Sequence, residues 1–323
     1  MKLERFRQRL SRGVVGGANF VTIRQRPKRD PARDPAWAPD LRDDTAIVLQ
    51  GPLVDKDDFT TETVRRYRRN FPNTPIIVST WQNEKRETIA SLKAEGAHII
   101  VQSPPELDGV QNSNRQMLSA ASGVSAAVDL GMTFVLKTRT DQRLYSERLL
   151  GLLHSTIKTF PLDGSRGLQT ERLVGLSSNT FAYRMYGLSD MVIFGAIEDM
   201  SLYWDGTLDY RNLQEPISAS TLRQFAELNV CEVRYCSEFL KRTGWIPRWT
   251  LRDSWEAMAS RFAILDSSAV DLYWPKYTDV EERWRSYSGD PRFLEIDFAM
   301  WMMLRTRQLV PDEAHLDLQL GSL

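Results

Sequence analysis

Residues 133–141, with the sequence TFVLKTRTD, place an apolar run directly before three alternating charged residues. Gly131 precedes the run, and a short apolar stretch bounded by glycine predicts a buried strand. Side chains two positions apart lie on one face of a strand, so Lys137, Arg139 and Asp141 are expected to face one crevice. Ligands of open α/β sheets bind at the carboxyl ends of the strands, where these charges lie. A solvated strand end with an internal ion pair is the alternative interpretation.

The charges of this stretch suit a diphosphate group. Lys137 and Arg139 supply two cations that offset phosphate charge. Asp141 is expected to hold either a bridging divalent metal ion, Mg²⁺ or Mn²⁺, or a hydroxyl group of a sugar. We therefore predict a binding site for a phosphorylated ligand at the end of this strand.

Apolar runs alternate with helical segments through the first half of the chain, which predicts an α/β fold with a mostly parallel sheet flanked by helices. The region after residue 216 is rich in aromatic residues and is expected to be mostly helical. We divide the chain into a basic segment and linker (1–44), a core (45–215) and a C-terminal region (216–323). The first four predicted strands are 46–50, 75–79, 98–101 and 133–136, and the helices between them are 60–70, 83–95 and 112–130.

Polar or small residues follow the other predicted strands as well. Gln50 and Gly51 form a tight turn that either seats a nucleotide base or ribose or is an ordinary turn. Thr80 and Trp81 follow the second strand, and the indole is expected either to stack on a base or sugar or to fill the core. The chain lacks the Gly-x-Gly-x-x-Gly turn of a dinucleotide fold and the P-loop lysine motif.

A second polar cluster lies at the predicted start of the long helix. Helix N-termini favour anions through their free N–H groups and the helix dipole, so Asn114 and Arg115 are candidates for nucleotide binding. The alternative is that Asn112 or Asn114 caps the helix while the Arg115 side chain is solvated.

Two carboxylates are candidates for a general base. Asp190 comes directly before an apolar strand, and Asp199 follows nine residues later. A hydroxyl nucleophile must lose its proton as it attacks, and a carboxylate at the crevice can accept it. We favour Asp190 over Asp199, because carboxylates in the first turn of a helix, such as Asp199 and Glu198, are often only structural.

The amino-terminal segment carries most of the charge asymmetry. Residues 1–34 contain ten Lys or Arg and three acidic residues, a net charge of +7, whereas the whole chain has a formal net charge of zero. Residues 1–20 have a weak amphipathic helical pattern that suits contact with an anionic membrane surface. A solvated segment with no partner is an equally good interpretation, and a nucleic-acid arm is disfavoured, so we predict no nucleic-acid partner.

Composition limits the location of the protein. Hydrophobic residues make up 42% of the chain and charged residues 26%. No run approaches the roughly 18 apolar residues that a membrane span requires, and no secretory signal is evident. We therefore expect a cytoplasmic protein, with residues 1–20 as its candidate for peripheral contact with the inner membrane.

The ordered motifs resemble the WavE-type lipopolysaccharide synthesis family of glycosyltransferase-like proteins. The resemblance covers residues 45–205 well and the C-terminal third more loosely. It implies a GT-A-like fold and a nucleotide-sugar donor. It also implies that the acceptor is lipopolysaccharide or another surface polysaccharide, so the expected partner is a lipid-linked glycan or lipopolysaccharide. The motifs that carry it are 49–52 (LQGP), 79–81 (STW), 114–116 (NRQ), 137–141 (KTRTD) and 189–195 with Asp199.

One departure from the pattern concerns the metal. GT-A enzymes often present an Asp-x-Asp pair after the fourth strand, and this chain has Arg139-Thr140-Asp141 there instead. A guanidinium can neutralise a leaving diphosphate directly, so dependence on a divalent metal is open. Under the resemblance, Gln50, Gly51, Thr80 and Asn114 belong to the nucleotide site.

Two other functions stay open from the sequence. One is a non-catalytic binding or scaffold protein of an envelope polysaccharide assembly complex, which the unusual Arg139 favours. The other is a sugar nucleotidyltransferase, although the glycine-rich basic loop that such enzymes carry after the first strand is absent. We favour the glycosyltransferase.

Overall fold

The computed structural model describes residues 26–29, 39–164, 167–211, 217–275 and 291–317. The chain divides into two compact units, Met1–Arg33 and Asp34–Leu323. The predicted membrane-contact segment, residues 1–20, lies outside the described residues. No helix among the described residues has the length and hydrophobicity that crossing a membrane requires.

The second unit is built on a seven-stranded sheet, with a separate pair of very short strands. Most strands consist of consecutive buried residues without polar alternation, as expected for a sheet covered on both faces. The strands are β1 (Thr45–Gln50), β2 (Ile76–Trp81), β3 (His98–Gln102), β4 (Phe134–Arg139), β5 (Arg143–Leu144), β6 (Leu173–Leu176), β7 (Ile193–Ala196), β8 (Phe262–Leu265) and β9 (Leu272–Tyr273).

Helices connect the strands and cover the sheet. The helices before β4 alternate with the strands, which confirms the predicted βα rhythm. The helices are α1 (Phe59–Asn70), α2 (Arg86–Ala94), α3 (Ser113–Asp129), α4 (Leu149–Thr159), α5 (Ile197–Trp204), α6 (Leu222–Asn229), α7 (Cys231–Arg242), α8 (Leu251–Arg261) and α9 (Phe298–Arg305).

The order of the large sheet is β3-β2-β1-β4-β7-β6-β8. Strands β1 to β4 are mutually parallel, and β7 runs antiparallel to both β4 and β6. The predicted fold class, a mostly parallel sheet flanked by helices, is confirmed. Because β7 is reversed, the residues that precede it lie at the same edge of the sheet as the residues that follow β4.

Strand β8 was not predicted. It lies in the region after residue 216 that we expected to be mostly helical, and it pairs in parallel with β6. Its four residues follow α8 without an intervening glycine or proline, so the apolar pattern reads as a continuation of the helix. The other regular elements that the structure describes between 217 and 275 are helical apart from the two residues of β9.

Gly123 lets α3 approach the sheet closely. A Cβ atom at this position would overlap the Val48 side chain, which is fully buried in β1. We expect Gly123→Ala to lower the free energy of unfolding by about 1–3 kcal/mol, the usual cost of overpacking. Gly151→Ala in α4 is the control, because a Cβ there comes no closer than 3.8 Å to Asp40. Chemical denaturation that shows equal effects for the two variants would contradict this account of the α3 packing.

Candidate functional site

The carboxyl ends of the parallel strands meet at one edge, as the sequence predicted. Gln50 at the end of β1 is in register with Ser79 of β2 on one side and with Arg139 of β4 on the other. The chain passes from β1 to β2 on one side, and β4 lies on the other side of β1. Such a reversal of strand order opens a crevice outside the carboxyl ends, which is the usual ligand position in this fold class.

Gln50 and Gly51 build the turn at the centre of this edge. The Gln50 amide oxygen accepts a hydrogen bond of 2.7 Å from Ser119 of α3, and its carbonyl accepts one from the Thr140 N–H. Gly51 has a φ of +118°, which strains any residue with a side chain. The Thr140 hydroxyl donates to the Pro52 carbonyl. These residues hold the ends of β1 and β4 together, and the buried Gln50 side chain is a structural part of the edge.

Thr80 and Trp81 are covered by neighbouring side chains. The Thr80 hydroxyl donates to Glu84, whose carboxylate also accepts from the Leu53 N–H. Trp81 is only 5% exposed, and the guanidinium of Arg115 lies 5.7 Å from its ring centroid. Arg115 is also paired with Asp108 at 2.6 Å. The burial of the ring favours the interpretation that Trp81 fills the core, whereas Arg115 stays partly accessible. The nucleotide-binding roles of both residues stay predictions.

Asn114 has a structural role that we did not predict. Its amide nitrogen donates to the carbonyls of Leu107 and Asp209, both at 2.8 Å, and its amide oxygen accepts from the Asp209 N–H. The side chain thus uses its hydrogen-bonding groups on the backbone of a segment 95 residues away. Asn114 ties the start of α3 to the loop after α5, and its predicted contact with a nucleotide stays a prediction. Asn114 does not cap the helix, since no side chain accepts at that helix start.

Arg139 and Asp141 form a two-point ion pair at the end of β4. Arg139 Nε lies 2.8 Å from Asp141 Oδ1, and Nη2 lies 3.0 Å from Oδ2. The Trp274 indole N–H donates to the same Oδ2 at 3.0 Å, and its ring lies 5.2 Å from the guanidinium carbon. Burial would raise the pKa of Asp141, but the Arg139 hydrogen bonds and charge hold it below its usual value. Arg139 is thus a fixed cation with 21% of its side chain exposed.

The described residues do not form a metal site of the predicted kind. Both oxygens of Asp141 already accept hydrogen bonds from Arg139 or Trp274. In the same described part of the chain, no three His, Cys, Asp or Glu side chains converge in a way that could hold a metal ion. Both oxygens of Asp141 are engaged by Arg139 and Trp274 in this structure, and we derive no step through a metal ion.

Lys137 and Asp190 form a buried pair beside Arg139. Lys137 Nζ donates to the Asp190 carbonyl and lies 3.8 Å from the carboxylate Oδ2. It also lies 4.7 Å from the ring centroid of Trp204. The Asp190 Oδ2 atom is buried and has no hydrogen-bond partner among the described residues. The prediction that Asp190 lies at the crevice edge agrees with this geometry, since Lys137 pairs with Ile193 at the start of the reversed strand β7.

Asp199, the second candidate base, lies away from the carboxyl edge of β4, and its catalytic role stays a prediction. Strand β7 ends at Ala196, which pairs with Phe134 at the amino end of β4, so Asp199 lies at the opposite edge of the sheet from Arg139. Its carboxylate accepts hydrogen bonds from the Thr170 N–H and hydroxyl and from the Glu171 N–H. Burial raises the pKa of this carboxyl group. Asp199 therefore fixes the turn before β6.

Three further polar residues near this edge were not predicted. Asn179 lies three residues after Leu176, the last residue of β6. Its amide nitrogen donates to the Glu232 carboxylate, and its amide oxygen accepts from Arg184 at 3.1 Å. Glu232, in the first turn of α7, also accepts from the Cys231 thiol at 3.1 Å. The strand-end rule would have found Asn179, because β6 is parallel to β4. Nothing local marks Arg184 or Glu232, since only the tertiary fold brings them to Asn179.

The buried lysine predicts a specific pH dependence of stability. Burial lowers the pKa of Lys137 from 10.5 to about 8, against the opposing charge of Asp190. The unfolded chain therefore binds more protons than the folded protein between these values, and stability rises with pH there. The contribution of this lowered pKa to the free energy of unfolding is complete above pH 10.5 and is lost as the pH falls through 8. Denaturant titrations should give a higher free energy of unfolding at pH 10 than at pH 8. The double variant Lys137→Met/Asp190→Leu should lack this rise. An equal rise in both proteins would contradict its assignment to Lys137.

Three solved structures show a distant likeness to this chain. A cytidylyltransferase from Leptospira borgpetersenii is 14% identical, with 54% of this chain and 69% of that chain covered and a TM-score of 0.33. A protein from Desulfovibrio desulfuricans, provisionally described as a nucleotide-diphospho-sugar transferase, is 11% identical over 62% and 77%, with a TM-score of 0.35. Core-mannan synthase A from Aspergillus fumigatus, in a form with Mn and GDP, is 11% identical over 59% and 74%, with a TM-score of 0.29. TM-scores this low carry no argument about activity.

Sequence comparison is more informative. No match was found among curated protein sequences. The family described as WavE lipopolysaccharide synthesis matches residues 45–318, which include the whole sheet together with Lys137, Arg139 and Asp190. The resemblance noted from the motifs is thereby confirmed, and the chain belongs to the WavE lipopolysaccharide synthesis family.

Proposed function

We propose that this protein is a glycosyltransferase of GT-A-like, hexosyltransferase-like type that transfers a sugar from a nucleotide-diphosphate donor. The acceptor would be lipopolysaccharide or another lipid-linked surface polysaccharide. The observation that carries the proposal is the cluster of Lys137, Arg139 and Asp190 at the carboxyl edge of β4. Family membership supports the same class of function.

Arg139 is the residue that we assign to the leaving group. When the bond between the anomeric carbon and the diphosphate breaks, negative charge builds up on the departing phosphate oxygen. A guanidinium stabilises this charge most effectively when it is oriented beforehand, because no reorganisation is then needed during the reaction. Asp141 and Trp274 provide that orientation from one side of the guanidinium.

Asp190 is our candidate for the general base of an inverting transfer. In that step the acceptor hydroxyl gives its proton to the carboxylate, the oxygen bonds to the anomeric carbon, and the nucleoside diphosphate leaves with the bonding electrons. The Asp190 Oδ2 atom has no hydrogen-bond partner in the described part of the chain, and Lys137 holds the residue in place. A retaining transfer would not need this base.

Contact of residues 1–20 with an anionic membrane and a cytoplasmic location at the inner membrane belong to the same proposal. Flotation with anionic liposomes tests the contact, with a truncated chain that begins at Asp43 as the comparison. Equal binding of the full and truncated chains would remove this part of the proposal.

Calorimetry with the nucleoside diphosphates UDP, GDP, CDP, ADP and dTDP tests the proposed function. We expect one of them to bind, and the matching sugar nucleotide to release it when acceptor glycan is present. Parallel titrations with Mn²⁺ and with EDTA test whether a metal contributes; since Asp141 is occupied by Arg139, we expect binding to survive EDTA. Binding to none of the five would favour the scaffold alternative and reject the transferase.

A further inference from the structure

A cavity of about 240 Å³ runs along one face of α7, separate from the Lys137–Asp190 pair. Its wall includes residues from both ends of α7, from the start of α3 and from the loop after α5. Six charged residues line it, three cations and three carboxylates: Arg211, Arg234, Lys241, Asp209, Glu227 and Glu238.

The charges of this cavity balance one another. Asp209 is paired with Arg211 at 2.8 Å and with Arg234 at 3.2 Å, and Lys241 is paired with Glu238 at 3.1 Å. Asp209 and its two arginines together carry a charge of +1, and Glu227 on the same wall brings the formal charge of the lining to zero. Phosphate and diphosphate groups need an excess of positive charge, so this lining disfavours them. A neutral ligand with many hydroxyl groups is a better match.

An aromatic residue and a strained chain segment flank the same cavity. Trp249 is on its wall and has a φ of +56°, which is unusual for so large a residue. Gln111 and Asn112, between the lining residues Val110 and Ser113, also have positive φ values, of 53° and 61°. An indole ring beside hydrogen-bonding groups offers both an apolar and a polar surface, as a pyranose ring requires.

Ser113 provides a second, independent observation. It lines the cavity and is 2% exposed, and its hydroxyl has no hydrogen-bond partner among the described residues. Buried polar groups are nearly always satisfied, so an unsatisfied hydroxyl on a cavity wall points to a bound polar group or an ordered water. We assign this hydroxyl, which lies against Gly109, to bind a hydroxyl group of the sugar.

The cavity adjoins the proposed transfer site. Cys231 lines the cavity, and its thiol donates to Glu232, the residue that Asn179 binds at the sheet edge. Tyr235 of α7 packs on Trp204 with ring centroids 5.5 Å apart, and the Trp204 ring lies 4.7 Å from Lys137 Nζ. A ligand in the cavity would thus have one end next to the residues that we assign to the chemistry.

We propose that this cavity binds a neutral, unphosphorylated sugar unit of the acceptor glycan. The inference rests on the proposed function, because it treats the sheet edge as the site of sugar transfer. It adds a specific selectivity: the cavity accepts a neutral pyranose and discriminates against a sugar phosphate.

Saturation-transfer NMR on the full chain tests this inference. The probes are the methyl glycosides of glucose, galactose, mannose and N-acetylglucosamine, with glucose 6-phosphate as the charged comparison. We expect at least one glycoside to bind, and Ser113→Ala and Glu227→Ala each to weaken it about fivefold, as the loss of one hydrogen bond does. Glu238→Gln leaves Lys241 unneutralised and should increase binding of glucose 6-phosphate. Glu87→Ala, which removes an exposed carboxylate on α2, is the control. It should change neither the binding of the glycosides nor the binding of glucose 6-phosphate.

The outcomes separate this inference from the proposed function. If nucleoside diphosphates bind but none of the glycosides does, the cavity assignment fails and the transferase proposal stands. The assignment is also overturned if the wild-type protein binds glucose 6-phosphate with the same affinity as the glycosides. Equal effects of Glu227→Ala and Glu87→Ala on glycoside binding would overturn it too. If no nucleoside diphosphate binds, the proposed function fails.

Discussion

Replacement of Arg139 by alanine is expected to slow sugar transfer by about 10²–10³-fold, the usual effect of removing one preorganised charge-stabilising donor. The guanidinium is held on Asp141 by two hydrogen bonds, of 2.8 and 3.0 Å, so its position is set before a donor binds. The loss should appear mainly in kcat, because the charge that Arg139 stabilises develops as the diphosphate leaves. The measurement is the rate of nucleoside diphosphate release from the sugar nucleotide identified by calorimetry.

Conservative and control variants make this test specific. Arg139→Lys keeps the positive charge but cannot form the two-point contact with Asp141, so we expect an intermediate rate. Asp141→Ala should cause a smaller loss than Arg139→Ala, since it removes only the orientation of the guanidinium. Arg65→Ala removes an exposed arginine that pairs with Glu62 and Glu95 on helices away from the sheet edge, and should leave the rate unchanged. Wild-type rates in both Arg139→Ala and Asp141→Ala would remove the proposed site.

The largest effect on stability is expected from Lys137→Met. This change leaves the Asp190 carboxylate buried without its cation, and breaking a buried ion pair in this way costs about 3–5 kcal/mol. Both side chains are almost inaccessible, at 0% and 5% exposed, so water cannot replace the lysine. The free energy of unfolding from denaturant titration at pH 7 is the measurement.

Two comparisons identify the cause of that loss. Lys241→Met removes a lysine of the same size from an exposed pair and should cost no more than about 1 kcal/mol. The double variant Lys137→Met/Asp190→Leu removes both charges and should recover much of the lost stability, because apolar residues of similar volume often replace a buried pair without penalty. A double variant as unstable as Lys137→Met would show that packing around Lys137, and not the unpaired carboxylate, causes the loss.

The parallel half of the sheet could be predicted from local patterns. Strands β1 to β4 are apolar runs separated by glycine, proline or a helical segment, and each such signal lies within a few residues of the strand that it marks. The same holds for the charges at the end of β4: a period of two placed Lys137 and Arg139 on one face of the strand, and Asp141 follows two residues beyond its end. Strand β8 was missed because no local break separates it from α8.

The roles of the polar residues depended on partners far away in the chain. Asn114 is a helix-start amide in the sequence, yet Asp209, 95 residues later, takes up its hydrogen bonds. Asp190 and Asp199 flank opposite ends of β7, and only the reversal of β7 puts Asp190, and not Asp199, at the carboxyl edge of β4.

The amino-acid pattern alone was therefore enough to place basic residues at the carboxyl end of β4, because strand formation and side-chain alternation are local properties. Whether each polar group at that edge is available to a ligand was decided only by tertiary structure. A carboxylate or amide buried in the fold must find hydrogen-bond partners, and Asp141, Asn114 and Asp199 find theirs within the protein. Asp190 Oδ2 finds none among the described residues, and this difference is the reason why we propose Asp190 for the chemistry.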